Sequence, residues 1–281
     1  MLTLRTPAKV NIGLWVERRR PDGYHELRSL FFPVSLFDRL SFEVRERGIE
    51  LSCDIPHVPS DSKNLVWLAA DLYFTYTGVR SGIRVDLKKG IPVGHGLGGG
   101  SSDAAATLIG LDRLFNTRLS GDELRSLAIE LGMDCSFFLD PRPCLVTGRG
   151  ERIKPLKVPS FDLVIYSPGF GVSTPWAYKQ LKRLTNGSKP CRLLAKALRE
   201  RRYHEASQWL YNSFEEVVYR CYPELERMVE WFNAKGAWVA GLSGSGSALF
   251  AVVGPDVEFE LPAGICGRLF RVRTLEHWGV V

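Results

Sequence analysis

A glycine-rich stretch at residues 92–102 carries the strongest chemical signal in this sequence. It reads Pro-Val-Gly-His-Gly-Leu-Gly-Gly-Gly-Ser-Ser and is followed by Asp103 and three alanines. Glycine lets a ligand approach the backbone closely, and the free N–H groups at a helix start attract anions. We expect Ser101 and Ser102 at the N-cap of a helix that continues over residues 104–114. The stretch therefore predicts a phosphate-binding loop.

Three other interpretations of this loop are weaker. A flexible linker is seldom followed at once by a capped, apolar helix. A dinucleotide fingerprint fits Gly94-x-Gly96-x-x-Gly99, but it needs a preceding strand, and Pro92 disfavours one there. A Walker-type loop needs Gly-Lys-Ser or Gly-Lys-Thr, and neither occurs in the chain.

Phosphoryl transfer also needs a counter-charge and a group that orients the attacking hydroxyl. Lys9 and Asp134 are the candidates. Lys9 lies in an alternating extended segment that places it on the same face as Asn11. Asp134 follows a helix pattern and precedes an apolar stretch. From the pattern alone, a solvated surface lysine at position 9 and a capping carboxylate at position 134 are the more common interpretations, so both alternatives stay open at this point.

The surrounding pattern mixes strands and helices. We expect extended segments over residues 2–17, 31–44, 49–53, 83–87, 137–139, 161–166 and 248–253. We expect helices over residues 64–76, 104–115, 120–131, 176–184, 192–210 and 215–232, the last interrupted near Tyr222 and Pro223. Thr174 and Pro175 are expected to cap and open the fourth helix. Turn signals fall at residues 21–23, 148–150 and 241–247, and a domain boundary is expected near residues 155–159.

Composition restricts the function only broadly. The chain has 281 residues, 45% of them hydrophobic and 24% charged, which is typical of a globular protein of about two domains. The net charge of +6 suits an anionic nucleotide or a nucleic acid. The six cysteines form no C-x-x-C pair, which favours reduced thiols of a cytoplasmic protein over a zinc ribbon. Neither a signal peptide nor a membrane-spanning stretch is expected.

Several blocks resemble one enzyme family. The glycine loop resembles the phosphate loop of the GHMP small-molecule kinases, and residues 242–247 resemble their third glycine motif. Pro7-Ala8-Lys9-Val10-Asn11 and Pro21-Asp22-Gly23-Tyr24-His25 precede the loop in the family's order. The second block is not shared by mevalonate-type kinases. It resembles the branch that phosphorylates the 2-hydroxyl of a cytidine diphosphate-linked methylerythritol in the non-mevalonate isoprenoid pathway.

The resemblance implies a fold and its ligands. It implies an α+β, two-domain GHMP kinase fold with the active site in the cleft between the domains. Residues 1–156 would form a ribosomal-protein-like α/β domain, and residues 157–281 a ferredoxin-like α+β domain. ATP would be the phosphate donor, with Mg²⁺ expected beside it. The protein would be a cytoplasmic monomer or weak homodimer with a small-molecule substrate and no nucleic-acid or membrane partner.

The resemblance also implies site residues. Lys9 and Asp134 match the family's catalytic pair. The residues that match the ATP site are Pro92, Val93, Gly94, His95, Gly96, Leu97, Gly98, Gly99, Gly100, Ser101 and Ser102, with Asn64 and Lys89 near the adenine. The residues that match or could make substrate contacts are Asn11, Tyr24, His25, Asp134, Arg149, Thr174, Tyr178, Gly244 and Ser245. Tyr24 would stack on cytosine, His25 would bond its edge, and Tyr178 would supply a second ring.

Two features depart from this assignment or leave it open. The family's Gly-Ala-Asp-Val-Pro is Gly-Met-Asp-Cys-Ser at residues 132–136, so the aspartate is kept but the turn loses its proline. No residue is assigned to Mg²⁺, although Ser102 and Asp103 are possible ligands. The alternatives are a mevalonate- or homoserine-type kinase and, because of the positive charge and a related ribosomal-protein fold, a nucleic-acid-binding module. The scattered positions of the basic residues argue against the last.

Overall fold

Two β-sheets divide the chain near residue 156. The structure, a computed structural model, describes residues 1–279. The first sheet has the order β3-β4-β2-β5-β6, with β1 antiparallel to β2. Its strands are β1 Leu2–Arg19, β2 His25–Arg45, β3 Ile49–Cys53, β4 Gly82–Lys88, β5 Cys144–Gly148 and β6 Arg152–Pro155. The second sheet is antiparallel in the order β10-β7-β9-β8, with β7 Asp162–Ser167, β8 Val239–Leu242, β9 Leu249–Val252 and β10 Arg268–Arg273.

Helices pack against both sheets. Those before residue 156 are α1 Leu65–Thr77, α2 Gly99–Phe115, α3 Gly121–Leu131 and a 3₁₀ helix at Cys135–Leu139. The later helices are α4 Thr174–Gln180, α5 Ser188–Arg199, α6 Tyr203–Trp209, α7 Glu215–Cys221 and α8 Pro223–Ala234. The expected α+β class is confirmed. Among the described residues, no helix has both the length and the apolar character that crossing a membrane requires.

Strand β1 contributes to three hydrophobic cores and so joins the two halves of the molecule. Leu4 packs in the core beneath α1 and α2. Val10 and Ile12 pack with the second sheet and α5. Val16 packs with the core of α7 and α8. Because side chains alternate across a strand, Lys9 takes the opposite side from Val10, at the seam between the halves.

Several expectations about local structure are confirmed. Ser120 and Glu123 form a reciprocal capping box at the start of α3. Pro223 opens α8 directly after the break at Tyr222. Residues 21–23 form the expected turn between β1 and β2. In each case the residue types that carry the signal act within a few positions of one another.

Other expectations are wrong. Residues 137–139 belong to a 3₁₀ helix rather than a strand. The helix expected over residues 192–210 is two helices, separated at Arg201, which has a left-handed φ of 56°. The strands β5, β6, β8 and β10 had no sequence prediction, because none of them shows a long alternating pattern. The predicted C-terminal domain also includes residues 280–281, which lie outside the described part of the chain.

Two predicted helix caps lie elsewhere. Helix α2 begins at Gly99 with Gly98 as its N-cap, so Ser101 and Ser102 lie inside its first turn. The left-handed φ of 75° at Gly98 ends the loop earlier than the serines suggested, because glycine tolerates that angle. Helix α4 is capped by the Ser173 side chain, and Thr174 is its first residue.

Candidate active site

The glycine loop takes a left-handed conformation at every second residue before α2. The φ angles are 81° at Gly94, 78° at Gly96 and 75° at Gly98. The backbone N–H of Lys9 donates to the carbonyl oxygen of Leu97 at 2.9 Å, which attaches the loop to β1. The loop therefore enters the N-terminus of α2 beside Lys9, where unpaired helix N–H groups favour an anion.

The loop is packed too closely for any side chain at two of these glycines. A Cβ atom at Gly98 would lie 2.7 Å from the Phe138 ring and 3.0 Å from Cγ of Lys9. A Cβ atom at Gly96 would lie 2.9 Å from the carbonyl oxygens of Ser243 and Gly246. The glycines thus bring the loop and β1 into close contact with residues 241–247, which form a second glycine turn.

Ser102 serves this packing rather than the cleft. Its side chain is buried, and its Oγ donates to the carbonyl oxygen of Pro7 at 2.7 Å. The hydroxyl of Thr6 also lies 2.5 Å from Ser102 Oγ. Helix α2 is therefore anchored to β1 through polar contacts in its first turn, just before Lys9.

A buried ion triad joins the two ends of the loop. Lys89, before the loop, lies 2.5 Å from Asp38 and 2.7 Å from Asp103, which follows the loop. Asp38 also accepts hydrogen bonds from the N–H groups of Gly90 at 2.7 Å and Ile91 at 2.8 Å. The side chains of the triad are at most 5% exposed. The triad therefore holds the segment that enters the loop and the helix that leaves it.

The triad contains two carboxylates for one ammonium. Burial raises the pKa of Asp103 well above its ordinary value, and the neighbouring Asp38 raises it further, while Lys89 opposes this. Burial lowers the pKa of Lys89, but the two carboxylates outweigh it, so the net shift is upward. Oδ1 of Asp103 has no hydrogen-bond partner among the described residues. The Lys89 ammonium thus offsets the free-energy cost of burying these two acidic side chains.

Lys9 and Asp134 meet beside the loop. Lys9 Nζ lies 3.5 Å from Asp134 Oδ2 and donates to Asn11 Oδ1 at 2.5 Å. Asn11 in turn donates to Ser29 Oγ at 3.0 Å, which fixes the orientation of its amide. The lysine side chain is 5% exposed and the aspartate 35% exposed, so the carboxylate is the member that faces the cleft.

The ammonium of Lys9 lies in an unusually dry environment for a cation. Burial lowers the pKa of Lys9, and the charge and hydrogen bond of Asp134 oppose that shift. The ring of Phe31 lies 4.8 Å from Nζ and offers its π-face to the charge. Because water is largely excluded, the electrostatic effect of this ammonium on a nearby anion is stronger than at a surface.

The turn that carries Asp134 closes without the family's proline. Cys135 N–H donates to the carbonyl oxygen of Gly132 at 3.0 Å, and Ser136 Oγ donates to that of Met133 at 3.3 Å. A Cβ atom at Gly150 would lie 3.7 Å from Asp134 Oδ1, so the turn at residues 148–150 abuts the carboxylate. Ser136 therefore takes over the turn-forming role by a side-chain hydrogen bond.

A cleft of about 1080 Å³ opens in front of this pair and is lined by both halves of the chain. The glycine loop contributes Gly96, Gly98 and Ser101 to its wall. The predicted catalytic and substrate residues all line the cleft: Lys9, Asn11, Tyr24, His25, Asp134, Arg149, Thr174, Tyr178, Gly244 and Ser245. Residues separated by up to 236 positions in the sequence thus share one wall, although their roles stay predictions.

One end of the cleft is aromatic. The rings of His25 and Tyr178 stack with centroids 5.1 Å apart, and Tyr178 meets the edge of Phe214 at 4.9 Å. Tyr24 is 53% exposed, with the Arg149 guanidinium 5.1 Å from its ring. Burial, followed by the charge of Arg19, lowers the pKa of His25. Burial raises the pKa of Tyr178. This end of the cleft is therefore suited to a flat, uncharged ligand group that can pack against these rings.

Of the predicted ATP-site residues, only Gly96, Gly98 and Ser101 line the cleft, and the possible magnesium ligand Asp103 does not. Asn64 caps α1 by accepting from Val66 N–H, and its amide donates to Pro59. Lys89 belongs to the buried triad, so its ammonium is not free for adenine. Ser102 and Asp103 point into the protein, which argues against their ligating Mg²⁺. The adenine contacts of Asn64 and Lys89 stay predictions that this geometry does not support.

Several lining residues had no sequence prediction. Basic side chains of Arg19, Lys179 and Lys182 stand at the rim. Lys179 directly follows Tyr178, so proximity to a predicted residue could have suggested it. Asn212 holds the second glycine turn by donating to the carbonyl oxygens of Leu242 and Gly244, both at 2.8 Å. No sequence signal connects it to a turn 30 positions away.

Comparisons with known proteins identify the family of this chain. The family model "GHMP kinases N terminal domain" matches residues 64–141, and "GHMP kinases C terminal" matches residues 194–261. A mevalonate kinase structure, 18% identical, covers 98% of the chain and 99% of its own with a TM-score of 0.75, which reflects the shared fold. The chain belongs to the GHMP kinase family and is an enzyme that phosphorylates a small molecule.

The branch of the family is also shown. A 4-diphosphocytidyl-2-C-methyl-D-erythritol kinase from Symbiobacterium thermophilum is 43% identical over 96% of this chain and 95% of its own. A crystal structure of 4-(cytidine 5'-diphospho)-2C-methyl-D-erythritol kinase, 36% identical, covers 97% of this chain and 99% of its own with a TM-score of 0.82. The chain groups with these enzymes, which favours the branch inferred from Tyr24 and His25 over the mevalonate-type, homoserine-type and nucleic-acid-binding alternatives.

The ion triad leads to a stability prediction. Lys89→Met should lower the free energy of unfolding by about 3–5 kcal/mol near neutral pH, because it leaves two buried carboxylates without a cation. Lys88→Met is the matched control, since this neighbour is exposed, and it should change the stability by no more than about 0.5 kcal/mol. Urea unfolding of both variants measures the difference.

The stability loss in Lys89→Met should depend on pH. A buried carboxyl whose folded pKa is raised holds a proton that the unfolded chain releases above about pH 3.8. The free energy of unfolding of Lys89→Met should therefore fall as the pH rises. The difference in this free energy between the variant and the wild type should be larger at pH 8 than at pH 5. An equal or smaller deficit at pH 8 would contradict the assignment of Lys89 as the neutralising charge.

Proposed function

We propose that this enzyme transfers the terminal phosphoryl group of ATP to the 2-hydroxyl of 4-diphosphocytidyl-2-C-methyl-D-erythritol. The observation that carries the proposal is the Lys9–Asp134 pair, 3.5 Å apart and directly beside the phosphate loop. The loop supplies backbone N–H groups for the donor, and the aromatic end of the cleft suits a cytosine. The acceptor hydroxyl would lie between these two ends, at Asp134.

Asp134 is better suited to orient the hydroxyl than to remove its proton beforehand. An ordinary aspartate has a pKa near 3.9 and an alcohol one near that of water, about 15. Complete proton transfer before reaction would cost on the order of 15 kcal/mol at about 1.4 kcal/mol per pKa unit. The carboxylate would therefore accept the proton late, once the phosphoryl group has largely arrived.

Lys9 would stabilise the charge of the transferring group. Its ammonium is fixed by Asn11 and Asp134, so little reorganisation is needed when negative charge develops on the phosphoryl oxygens. The exclusion of water around Nζ strengthens this interaction. In this role the lysine also holds Asp134 in the orientation that the hydroxyl needs.

Magnesium would be bound mainly through the ATP phosphates. Among residues 1–279, no group of three or more His, Cys, Asp or Glu side chains forms a metal cage. Ser102 Oγ is committed to Pro7, and Asp103 pairs with Lys89, so these residues do not fit the ion. Mg²⁺ commonly retains several waters and is shared with substrate phosphates in such sites.

The acceptor end of the cleft matches a cytidine diphosphate group in two respects. Stacking of a base on Tyr24 would contribute about 1–3 kcal/mol, as aromatic stacking does for bases elsewhere. The basic side chains of Arg19, Lys179 and Lys182 at the rim complement the negative diphosphate. Cytosine between Tyr24 and Tyr178 is part of this proposal, with His25, already packed against Tyr178, at the edge of the base.

The proposal extends to the setting of the enzyme. We place it in the cytoplasm as a monomer or weak homodimer, without a nucleic-acid partner. The six free cysteines, three of them buried, suit a reducing compartment. The small-molecule substrate requires no macromolecular partner, because the cleft is lined by both halves of one chain.

A direct assay tests the substrate. With ATP and Mg²⁺, the protein should phosphorylate 4-diphosphocytidyl-2-C-methyl-D-erythritol, and mevalonate and homoserine should give no turnover above background. The reason is that only the first offers a base to Tyr24 and a diphosphate to the basic rim. Product is followed by phosphorus NMR, which also locates the new ester. Turnover of mevalonate or homoserine at a comparable kcat/KM would overturn the proposal.

Asp134→Asn should reduce kcat by at least about 10²-fold, because an amide cannot accept the hydroxyl proton. The KM for ATP should stay within about threefold, since the loop is untouched. Asp140→Asn is the matched control: Asp140 is exposed and pairs with Arg142 and His277 at the surface. Steady-state kinetics of both variants decide the matter, and wild-type kcat in Asp134→Asn would remove this residue from the chemistry.

Tyr24→Ala should raise the KM for the cytidine substrate by about 5- to 150-fold, which corresponds to the loss of about 1–3 kcal/mol of stacking. The KM for ATP should be unaffected. Tyr76→Ala is the control, because Tyr76 is 51% exposed, close to the 53% of Tyr24, and lies outside the cleft. An unchanged KM for the cytidine substrate in Tyr24→Ala would argue against stacking at this position.

A further inference from the structure

The side chain of His95 points from the phosphate loop to the C-terminal half of the chain. Its Nδ1 lies 3.0 Å from Ser247 Oγ, in the second glycine turn, and 3.2 Å from Ser167 Oγ, at the end of β7. Ser247 is fully buried and Ser167 nearly so. His95 does not line the cleft, although its backbone belongs to the loop that does.

The hydrogen-bond directions at Ser247 decide the tautomer of His95. Ser247 Oγ donates its proton to the carbonyl oxygen of Phe170. The hydroxyl can then only accept from the imidazole, so Nδ1 carries the proton and donates to Ser247. A neutral ring with the proton on Nδ1 therefore satisfies the hydrogen bonding of both the imidazole Nδ1 and the Ser247 hydroxyl. The contact does not involve Nε2.

Backbone contacts surround the same point. The N–H of Ala248 donates to the carbonyl oxygen of His95 at 3.1 Å. A Cβ atom at Gly171 would lie 2.7 Å from the carbonyl oxygen of Gly94, so the loop presses on the segment after β7 as well. The first half of the loop is thus held by the C-terminal part of the chain, whereas its second half is held by β1 through Leu97.

We propose that His95 is a positioning residue for ATP, which fastens the first half of the phosphate loop to Ser247 and thereby makes nucleotide affinity depend on the contact between the two halves of the chain. The inference rests on the proposed function in one respect, namely that the loop binds the ATP phosphates. Loop N–H groups that are held in place before binding lose less conformational entropy when the nucleotide arrives.

Three substitutions separate this role from simple packing. His95→Ala removes the donor, and it should weaken ATP binding and raise the KM for ATP about tenfold. The kcat and the KM for the cytidine substrate should stay within about threefold. His95→Asn places an amide N–H near the position of Nδ1 and should restore binding to within about twofold, whereas His95→Gln places it near Nε2 and should not. His57→Ala, at an exposed histidine, is the control.

A second measurement does not involve the nucleotide. Hydrogen exchange at the amides of residues 93–98, in the free protein, should accelerate in His95→Ala and Ser247→Ala but stay close to wild type in His95→Asn. The double variant His95→Ala with Ser247→Ala should be no worse than the more affected single variant, because both remove the same contact.

The outcomes separate the two ideas. If the exchange pattern holds but the wild type does not turn over ATP, the contact stands and the proposed function fails. If the wild type is an active kinase but His95→Ala leaves the exchange and the KM for ATP unchanged, the positioning role is overturned. Equal effects of Asn and Gln at this position would overturn it as well, since bulk rather than the Nδ1 donor would then account for the loss.

Discussion

The buried ammonium of Lys9 is the constraint on which the site depends. A cation with a side chain only 5% exposed is costly unless it is paired, and its partners come from separate parts of the chain. Asn11 is nearby on β1, whereas Asp134 arrives from the segment after α3. Forming this pair requires the first sheet, its helices and the Met133–Ser136 turn to be assembled correctly. The same exclusion of water that makes the charge costly also strengthens its electrostatic effect on a nearby anion.

Close backbone approach is the second constraint, and it explains the glycines. Three segments meet at the loop: β1 through Lys9, the Ser243–Gly246 part of the second glycine turn, and the Phe138 ring. A single Cβ at Gly96 or Gly98 would separate them. The ion triad joins the two ends of the loop, and the His95 contact holds its first half. The loop is therefore preorganised by the tertiary structure rather than by its own sequence.

Local signals in the sequence predicted the local structure well. The Ser120 capping box, the break at Pro223 and the turn at residues 21–23 depend on neighbours within a few positions, and all are confirmed. Short strands such as β8 and β10 had no sequence prediction, because they lack a long alternating pattern of apolar and polar residues. Their conformation depends on packing within the sheet. The strand predicted over residues 137–139 is instead part of the 3₁₀ helix Cys135–Leu139, because a short apolar run has no decisive period.

The residue patterns in the sequence, together with the family resemblance, predicted the chemistry: a glycine loop for phosphate, a lysine and an aspartate for transfer, and a tyrosine and a histidine after a turn. These depend on residue type and order, which a one-dimensional pattern carries. Only the tertiary structure decided which polar groups face the cleft. Lys89 and Asp103 pair with Asp38 beneath the loop, and the His95 side chain turns to Ser247. The reason is that a buried charge or donor takes its orientation from partners dozens of positions away, which no local pattern specifies.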